Sequence, residues 1–400
     1  MKKRYITTTL ALMLITATVT YGITFFHMQK QTSALVEKFN AANAQYERIA
    51  EVRSTIETLY VNEYDENMLT EGALTGMVAY LGDRWSHYLD EESFSEYVQS
   101  LSGNVVGIGV SVVQDTNTGN IRIVEVYEDS PAQKAGILPG DIITEVDGKK
   151  VLEIGYDTAV DNVRGEAGTS VQFAVMRAGS ETPLNLTAVR AEIKVESVRS
   201  SLVDGIGYIK IRSFDIGTGN QVVTAVHNLQ SQGAKGFVFD LRNNGGGTLD
   251  DLVCALDALL PEGTIITATD KAGITEEFKS DAKEIQAPMA VLVNSGSISA
   301  AEFFAASLQE HGKATIIGTP TTGKGCAQRP IKLKTGGGLI LSVDKYYTAK
   351  GISLADTQGI KPDITVELTE EQTKNFYTLT MENDPQLQAA FQNVKTKIQQ

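Results

Sequence analysis

The chain has 400 residues, which is enough for two or three domains, and its 42% hydrophobic and 21% charged residues are ordinary for a globular protein. Its net charge of −14, with no Lys/Arg cluster beyond the first few residues, argues against a nucleic-acid-binding protein, because phosphate contacts need clustered cations. Two cysteines, Cys254 and Cys326, are too few for a zinc site or a disulfide framework.

The N-terminus has the pattern of a membrane anchor. Three basic residues stand in the stub 1–4, and the stretch 5–26 that follows carries no charge. About twenty apolar residues span a bilayer, and flanking positive charges stay in the cytosol. We therefore expect a single transmembrane anchor at 5–26 with the rest of the chain outside. A cleaved signal peptide, which would give a secreted form, is the alternative.

Residues 27–102 have few glycines and regularly spaced apolar positions, including Leu35, Phe39, Val52 and Ile56. This spacing predicts helices. We interpret the region as a packed helix bundle. Contact with a second subunit in a homodimer is the alternative use of these apolar positions.

Residues 103–189 change to short strands and turns. The stretches "GIGVSVV", "IRIVEVY" and "VQFAVMR" alternate like strands, and Asp147-Gly148 signals a hairpin. Together with "SPAQKAGILPGDII", this pattern resembles a PDZ domain, which binds a peptide as an added strand and its terminal carboxylate through backbone amides. The resemblance implies that the carboxylate-binding loop is Gly107, Ile108, Gly109 and Val110. A tight hairpin without a ligand is the alternative.

Residues 190–365 alternate strands and helices, which predicts an α/β core, and 366–400 read as a polar helical tail. Three buried strands end in polar loops, at "FVFDLRNNGGG", "MAVLVNSGS" and "KATIIGTPTTGKG". Ligands bind at the carboxyl ends of the strands in such sheets. Parallel neighbours would therefore bring a glycine-rich loop, two serines and Lys324 into one crevice.

The stretch "GTPTTGKGCAQ" begins like a phosphate-binding P-loop. However, Gly325 stands where that motif needs Ser or Thr, and Pro330 follows in place of a helix. A serine nucleophile needs a base, and the four histidines are poorly placed to serve. A lysine buried among glycines can act as a neutral base instead. A Ser–Lys pair, with Ser299 or Ser297 as nucleophile, and a cysteine enzyme using Cys326 both remain open at this point.

The segment "VLVNSGSISAAEFFAASLQEHGKATIIGTPTTGKGCAQ" resembles the core motif of the carboxyl-terminal processing proteases. The resemblance implies a core like that of ClpP and crotonase. It assigns the nucleophile to Ser299, the general base to Lys324 and its orienting partner to Gln328. It also implies an oxyanion hole formed by backbone amides of Gly246, Gly247 and Ala300. Gly245 departs from the proline that is common in the family.

Together with the anchor predicted from the N-terminal residues, the resemblance implies a bacterial, membrane-anchored serine endopeptidase whose catalytic part lies outside the cytoplasm. It would cleave proteins with apolar C-terminal tails through an acyl-enzyme and use no metal, nucleotide or other cofactor. Arg164, after the second PDZ helix, matches the position that answers to substrate in the family; a surface pair with a carboxylate such as Glu166 is the alternative. A PDZ scaffold or pseudoprotease that binds tails without cutting is the alternative for the whole protein.

Overall fold

The computed structural model describes residues 2–101, 104–194 and 196–400, and the side chains of 2–17, 34–35, 39–42, 45, 104–105 and 194 lie outside that description. The chain divides into two compact units, Met1–Gly72 and Ala73–Gln400. The predicted domain boundary at 102/103 lies outside the described residues.

The first unit is dominated by one continuous helix, α1 (Lys2–Leu59), and it also contains the start of α2 (Glu66–Ala79). The predicted helix bundle is wrong for the part of this unit that the structure describes. Large apolar side chains along α1, such as Phe26, Tyr46 and Leu59, are exposed by 73%, 69% and 75%, so α1 is not packed into a bundle core.

The predicted membrane anchor at 5–26 lies within α1, and the side chains of residues 5–17 are not described. In the described portion of the chain, none of the helices combines the length and the apolarity that a membrane span requires.

The second unit contains the predicted PDZ domain and the predicted α/β core. Its first elements after α2 are β1 (His87–Leu89) and α3 (Glu91–Ser100). The PDZ region consists of β2 (Asn104–Gly107), β3 (Val110–Gln114), β4 (Ile121–Val126), α4 (Pro131–Lys134), β5 (Ile142–Val146), β6 (Lys149–Lys150), α5 (Val151–Ile154), α6 (Tyr156–Val163), β7 (Ser170–Met176), β8 (Leu184–Val189) and β9 (Ala191–Lys194).

The PDZ strands form an antiparallel sheet in the order β3-β4-β5-β7-β8, with β6 added to β5 and a separate β2–β9 pair. The predicted hairpin at Asp147-Gly148 is confirmed, since these residues join β5 to β6 with φ of 48° and 74°. Two consecutive positive φ angles belong to the tight turn that matches the twist of paired strands. Alternate side chains of β4 and β7, together with Ile143 and Val146 of β5, belong to the apolar core of this domain.

The catalytic core begins with β10 (Val198–Val203), β11 (Ile206–Ile211), α7 (Thr218–Ser231), β12 (Phe237–Asp240), α8 (Leu249–Asp257), β13 (Gly263–Asp270), β14 (Thr275–Ser280) and β15 (Met289–Val293). It continues with α9 (Ala300–Glu310), β16 (Ala314–Gly318), β17 (Cys326–Lys332), β18 (Gly338–Thr348), β19 (Ile364–Thr365), α10 (Glu370–Lys374), a short 3₁₀ turn (Phe376–Thr378) and α11 (Pro385–Ile398).

The main sheet has the strand order β10-β11-β12-β15-β16-β19, and every pair from β11 to β19 is parallel. The predicted α/β architecture is therefore confirmed. β12 and β15 are buried on both faces, which explains their continuous apolar sequences. The loops after β12, β15 and β16 consequently meet at one edge of the sheet, as the sequence predicts.

Helices cover both faces of this sheet. The aromatic and aliphatic side chains of α7, α8 and α9 pack with one face, while α11 packs on β12, β15 and β16 from the other through Ala390 and Val394. The C-terminal tail thus belongs to the packed core. A second sheet contains β1-β18-β13-β14 with β17 paired to β18, and β1 brings residues before the PDZ domain to the catalytic core.

Candidate active site

The turn after β15 contains Ser297 and Ser299, the two candidate nucleophiles, and burial separates their roles. Ser297 is fully buried, and its Oγ donates to the Leu241 carbonyl at 2.8 Å while accepting from the Asn294 amide at 3.0 Å. Both hydrogen bonds of this hydroxyl connect the residues that follow β12 and β15. Ser299 is partly exposed and begins α9 as its N-cap residue. Of the two serines, only Ser299 is therefore open to substrate.

Ser299 has φ 57° and ψ −120°, a conformation that a non-glycine residue rarely adopts. Such strain costs about 1–3 kcal/mol and persists only where the surrounding structure enforces it. A sharp strand-to-helix turn of this kind exposes a nucleophilic serine in other hydrolases. Ser299 and Glu302 also occupy the positions of a capping box, so the helix-capping interpretation and the nucleophile assignment are compatible.

Lys324 lies in the loop between β16 and β17, and its Nζ donates to Oε1 of Gln328. The amine also lies 4.9 Å from the centroid of the Trp85 ring. Burial lowers the pKa of Lys324 below its ordinary value, against the opposing charges of Cys326, Asp83 and Glu302. A lowered pKa increases, at any given pH, the fraction of the neutral amine that a general base needs.

Gln328 is held on its other side by the segment before the PDZ domain. Its Nε2 donates to the Trp85 carbonyl, and an irregularity in the β17–β18 pairing falls between Ala327 and Gln328. Such bulges re-aim side chains near active sites. Trp85 is a site residue that the sequence motifs do not reveal, since 243 residues separate it from Gln328.

A buried carboxylate connects the serine turn to the lysine loop. Oε2 of Glu302 accepts from the amides of Ser299 at 2.8 Å and Lys324 at 2.9 Å. Oε1 accepts from the Gly323 amide and the Thr321 hydroxyl, each at 2.6 Å. Glu302 is 0% exposed, so these four charge-assisted hydrogen bonds replace its hydration. The candidate nucleophile and base are thereby fixed relative to each other through their backbones.

The glycine loop after β12 lies directly against the serine turn. A Cβ added to Gly246 would stand 2.9 Å from Ser299 Cβ and 3.1 Å from the Ala300 amide, and one added to Gly247 would stand 2.3 Å from the Phe214 carbonyl oxygen. Only glycine permits this approach. The Gly246 amide itself donates to Asn244 Oδ1 at 2.8 Å, so it would have to leave that bond to serve an oxyanion.

The PDZ groove is a cavity of about 180 Å³ beside the predicted carboxylate-binding loop. Its lining includes all four residues predicted for that loop, Gly107, Ile108, Gly109 and Val110, together with Arg164. Gly109 has φ 79°, and a Cβ there would lie 2.4 Å from Ser130 Cβ. The predicted binding residues are therefore brought together around one apolar groove.

Arg164 is more than half exposed and pairs with Asp161 at 3.2 Å, so Asp161 takes the place of Glu166 in the predicted surface pair. An exposed pair of this kind contributes under about 1 kcal/mol to stability.

Comparison with known proteins identifies the family of the chain and two of its domains. Residues 205–366 match Peptidase family S41, residues 122–177 match the PDZ domain, and residues 13–93 match the activating protease CtpB N-terminal domain. The chain is 36% identical over 345 residues to a carboxy-terminal-processing protease of Bartonella bacilliformis, covering 84% of this chain and 78% of that protein.

The chain belongs to the carboxyl-terminal processing proteases of peptidase family S41. It is also 35% identical to the carboxy-terminal processing protease CtpA of Bacillus subtilis, over 89% of this chain and 76% of that protein. Among solved structures, a photosystem II D1 C-terminal processing protease matches with a TM-score of 0.52 and 28% identity, covering 79% of this chain and 86% of that one. The chain is thus a serine-type carboxyl-terminal processing peptidase with a PDZ domain.

The departures from the motif of the carboxyl-terminal processing proteases are local. An added Cβ at Gly245 would meet nothing within 4 Å, so the space that proline would occupy is open. Cys326 accepts a hydrogen bond from Ser342 Oγ at 3.3 Å, and burial raises the pKa of its thiol. A raised pKa disfavours the thiolate that a cysteine nucleophile needs.

The P-loop alternative also disagrees with the structure, because the Lys324 loop leads into strand β17.

Proposed function

We propose that this S41 peptidase cleaves protein substrates near their C-termini, with Ser299 as nucleophile, Lys324 as general base and Gln328 as the residue that orients the base. The observation that carries the proposal is the partly buried Lys324 amine, which donates a hydrogen bond to Gln328. Glu302 connects the backbone of Lys324 to that of Ser299. Burial makes the neutral amine available without a histidine.

In the first step, Ser299 Oγ attacks the carbonyl carbon of the substrate while the neutral Lys324 amine takes the hydroxyl proton. The carbonyl electron pair moves onto oxygen, where the amides of Gly247 and Ala300, and that of Gly246 after release from Asn244, would stabilise the charge. Collapse of the tetrahedral intermediate breaks the C–N bond, and the Lys324 ammonium returns the proton to the leaving amine. Water then hydrolyses the ester, with Lys324 again as base.

The PDZ groove supports recognition of a substrate tail. Its apolar lining suits an uncharged C-terminal side chain, and the loop at Gly107–Val110 would offer amides to the terminal carboxylate. Arg164 lines the same groove, where it would respond to a bound substrate tail. We propose that tail binding there shifts the enzyme toward its active state, which requires that the tail bind that state more tightly.

Incubation with fluorescein-labelled casein tests the activity. The wild-type chain should release labelled fragments, whereas Ser299→Ala should release none. Fragments from both proteins would remove Ser299 from the mechanism. No fragments from either, with PDZ peptide binding intact, would favour the scaffold or pseudoprotease that binds tails without cutting.

We also propose that the catalytic part lies outside the bacterial cytoplasm, anchored through residues 5–26. The uncharged stretch after the basic stub 1–4 motivates this proposal. Carbonate-washed membranes should retain the full-length chain, and external protease should digest it in intact cells. A shortened form in the medium would indicate a cleaved signal instead, and full-length chain in the wash would refute both.

A further inference from the structure

The C-terminal segment 376–386 reaches the glycine loop from outside the part of the chain that matches the peptidase family. The family match ends at residue 366. Beyond it, the 3₁₀ turn brings Phe376 near Lys210 of β11 and Arg242 after β12, and α11 then packs on the sheet. Two points of contact connect this segment to the residues that precede Gly246.

The first contact is a buried ion network around Arg242. Its Nε and Nη2 bind the two oxygens of Asp240 at 3.0 Å and 2.9 Å. Its Nη1 donates to Asp384 Oδ2 at 2.8 Å and to Gln386 Oε1 at 3.0 Å. Arg242, Asp240, Asp384 and Gln386 are at most 4% exposed. The Arg242 guanidinium therefore binds both Asp240, at the end of β12, and the C-terminal segment.

The second contact involves two aromatic residues of the 3₁₀ turn. The Phe376 ring lies 4.9 Å from the Arg242 guanidinium and 5.7 Å from Lys210 Nζ. Tyr377, beside Phe376, interacts with the Asn243 side chain, which lowers the pKa of the Tyr377 hydroxyl against the larger effect of burial, which raises it. Asn243 also exchanges two hydrogen bonds with Asn294, each 2.9 Å, and so connects the β12 loop to the β15 turn.

These contacts bear on residues that shape the catalytic crevice. Asn244, two residues after Arg242, accepts from the Gly246 amide through Oδ1 and from the Ile298 amide, next to Ser299, through its carbonyl. Asn244 Nδ2 donates to the Ile211 carbonyl at 2.9 Å. A shift of Arg242 or Asn243 would consequently reach Gly246 and the Ser299 turn through covalent neighbours and hydrogen bonds.

We propose that Asp384 and Tyr377 are positioning residues for catalysis, which hold the 243–247 loop against the Ser299 turn through Arg242 and Asn243. This inference rests on the proposed function, because the loop is the candidate oxyanion site. Neither residue touches the reacting atoms. Their contribution is to keep backbone donors in register with the nucleophile, where a displacement of about 1 Å costs about 100-fold in rate.

Asp384→Asn is the principal test. Asparagine preserves the N-cap of α11, where Asp384 accepts from the Leu387 amide, but it removes the charge that faces Arg242. With labelled casein we expect kcat to fall by about 10- to 100-fold and KM to stay within about twofold. The ionisation in the pH–rate profile should not move, because Lys324 is not a partner of this network.

Val394→Ala is the matched control. Val394 is fully buried where α11 packs on the sheet, so its truncation loosens the same helix without touching Arg242 or Asn243. This variant should lose thermal stability and keep the kcat of the folded enzyme. Hydrogen exchange should increase at residues 243–247 in Asp384→Asn and stay unchanged there in Val394→Ala.

Tyr377→Phe keeps the inference testable if Asp384→Asn does not fold. Tyr377 is 48% exposed, so loss of its hydroxyl should leave folding intact and lower kcat by about two- to fivefold. Unchanged kcat in the folded Asp384→Asn variant would overturn the inference. If that variant does not fold, unchanged kcat in Tyr377→Phe would overturn it. An equal fall of kcat in Val394→Ala would also overturn it. An active Ser299→Ala would instead refute the proposed function, so the two failures are distinguishable.

Discussion

The catalytic crevice and the PDZ groove both place glycines at the end of a strand, but they differ in how their polar groups are held. Around Ser299, buried side chains make hydrogen bonds to the loops, and Glu302 alone accepts four of them. Around Gly107–Val110 the lining is largely apolar, and Arg164 has only an exposed partner at the rim. Fixed geometry suits bond cleavage, whereas an open groove suits tails of varied sequence.

The comparison predicts that substitutions in the crevice change the rate strongly and that those in the groove change substrate preference.

Lys324→Arg should reduce casein cleavage by at least about 10³-fold, because a guanidinium stays protonated and cannot accept the Ser299 proton. In the wild type, the lowered pKa of Lys324 sets the sign of the pH dependence. Activity should fall as the pH drops through that pKa and should reach its plateau below the ordinary lysine value of about 10.4. Lys332, at the end of β17, pairs with Glu91 of α3, and Lys332→Arg should keep normal activity. Substantial activity in Lys324→Arg would contradict the assignment of the base.

Glu302→Gln should lower the rate by the next largest factor, because it displaces the crevice residues and leaves the base itself in place. The amide nitrogen that replaces one oxygen would face backbone N–H donors, and each unsatisfied buried group costs about 1–3 kcal/mol. We expect a lower Tm and a fall in kcat of about 100-fold.

Glu310→Gln at the other end of α9 is the control for this change, because Glu310 is partly exposed and accepts from Thr348 and Lys350. Equal effects of the two substitutions would show that Glu302 has no special connection to catalysis.

Gly109→Ala should affect tail binding and leave the chemistry intact. The added Cβ would lie 2.4 Å from Ser130 Cβ at a φ of 79°, a strain of about 1–3 kcal/mol. Peptide binding, measured by fluorescence anisotropy with an apolar-tailed peptide, should be lost or strongly weakened. Gly107→Ala meets nothing within 4 Å and should bind more nearly like the wild type. The reverse order of the two variants would be inconsistent with this groove geometry.

Arg164→Ala should have the smallest effect on the fold. Its exposed pair with Asp161 contributes under about 1 kcal/mol, so Tm should hardly change. Cleavage of a substrate with an apolar tail should slow by about two- to fivefold, while the same substrate ending in aspartates should be unaffected. Lys150→Ala removes a similarly exposed pair with Glu153 and serves as the control. Equal wild-type rates on the two substrates would argue against control by the PDZ groove.

The sequence predicts this catalytic edge well because the relevant signals are local. Each of the three strands carries its own polar loop, and parallel order alone brings the loops together. The residues alone leave both Ser297 and Ser299 as candidate nucleophiles. The fold distinguishes them, because the Ser297 hydroxyl is already hydrogen-bonded to buried partners.

Contacts between distant segments were not predictable. Trp85 reaches Gln328 across 243 residues, and Asp384 reaches Arg242 across 142. Periodicity describes which face of an element is apolar, but it does not say which remote side chain will satisfy a buried guanidinium or amide. The N-terminal helices show the same limit, because their spaced apolar positions predicted a bundle that the described part of α1 does not form.

The single tryptophan of the chain lies at the candidate base, 4.9 Å from Lys324 Nζ to the ring centroid. A protonated amine attracts an indole face, whereas a neutral amine does so much less. The protein consequently carries its own optical probe of this site. Tryptophan emission comes from this one position, which lies beside Lys324 and the Arg84 guanidinium. Because arginine stays charged, we expect the dependence of the emission on pH to follow the protonation of Lys324 in the resting enzyme, before any substrate is added and without a label.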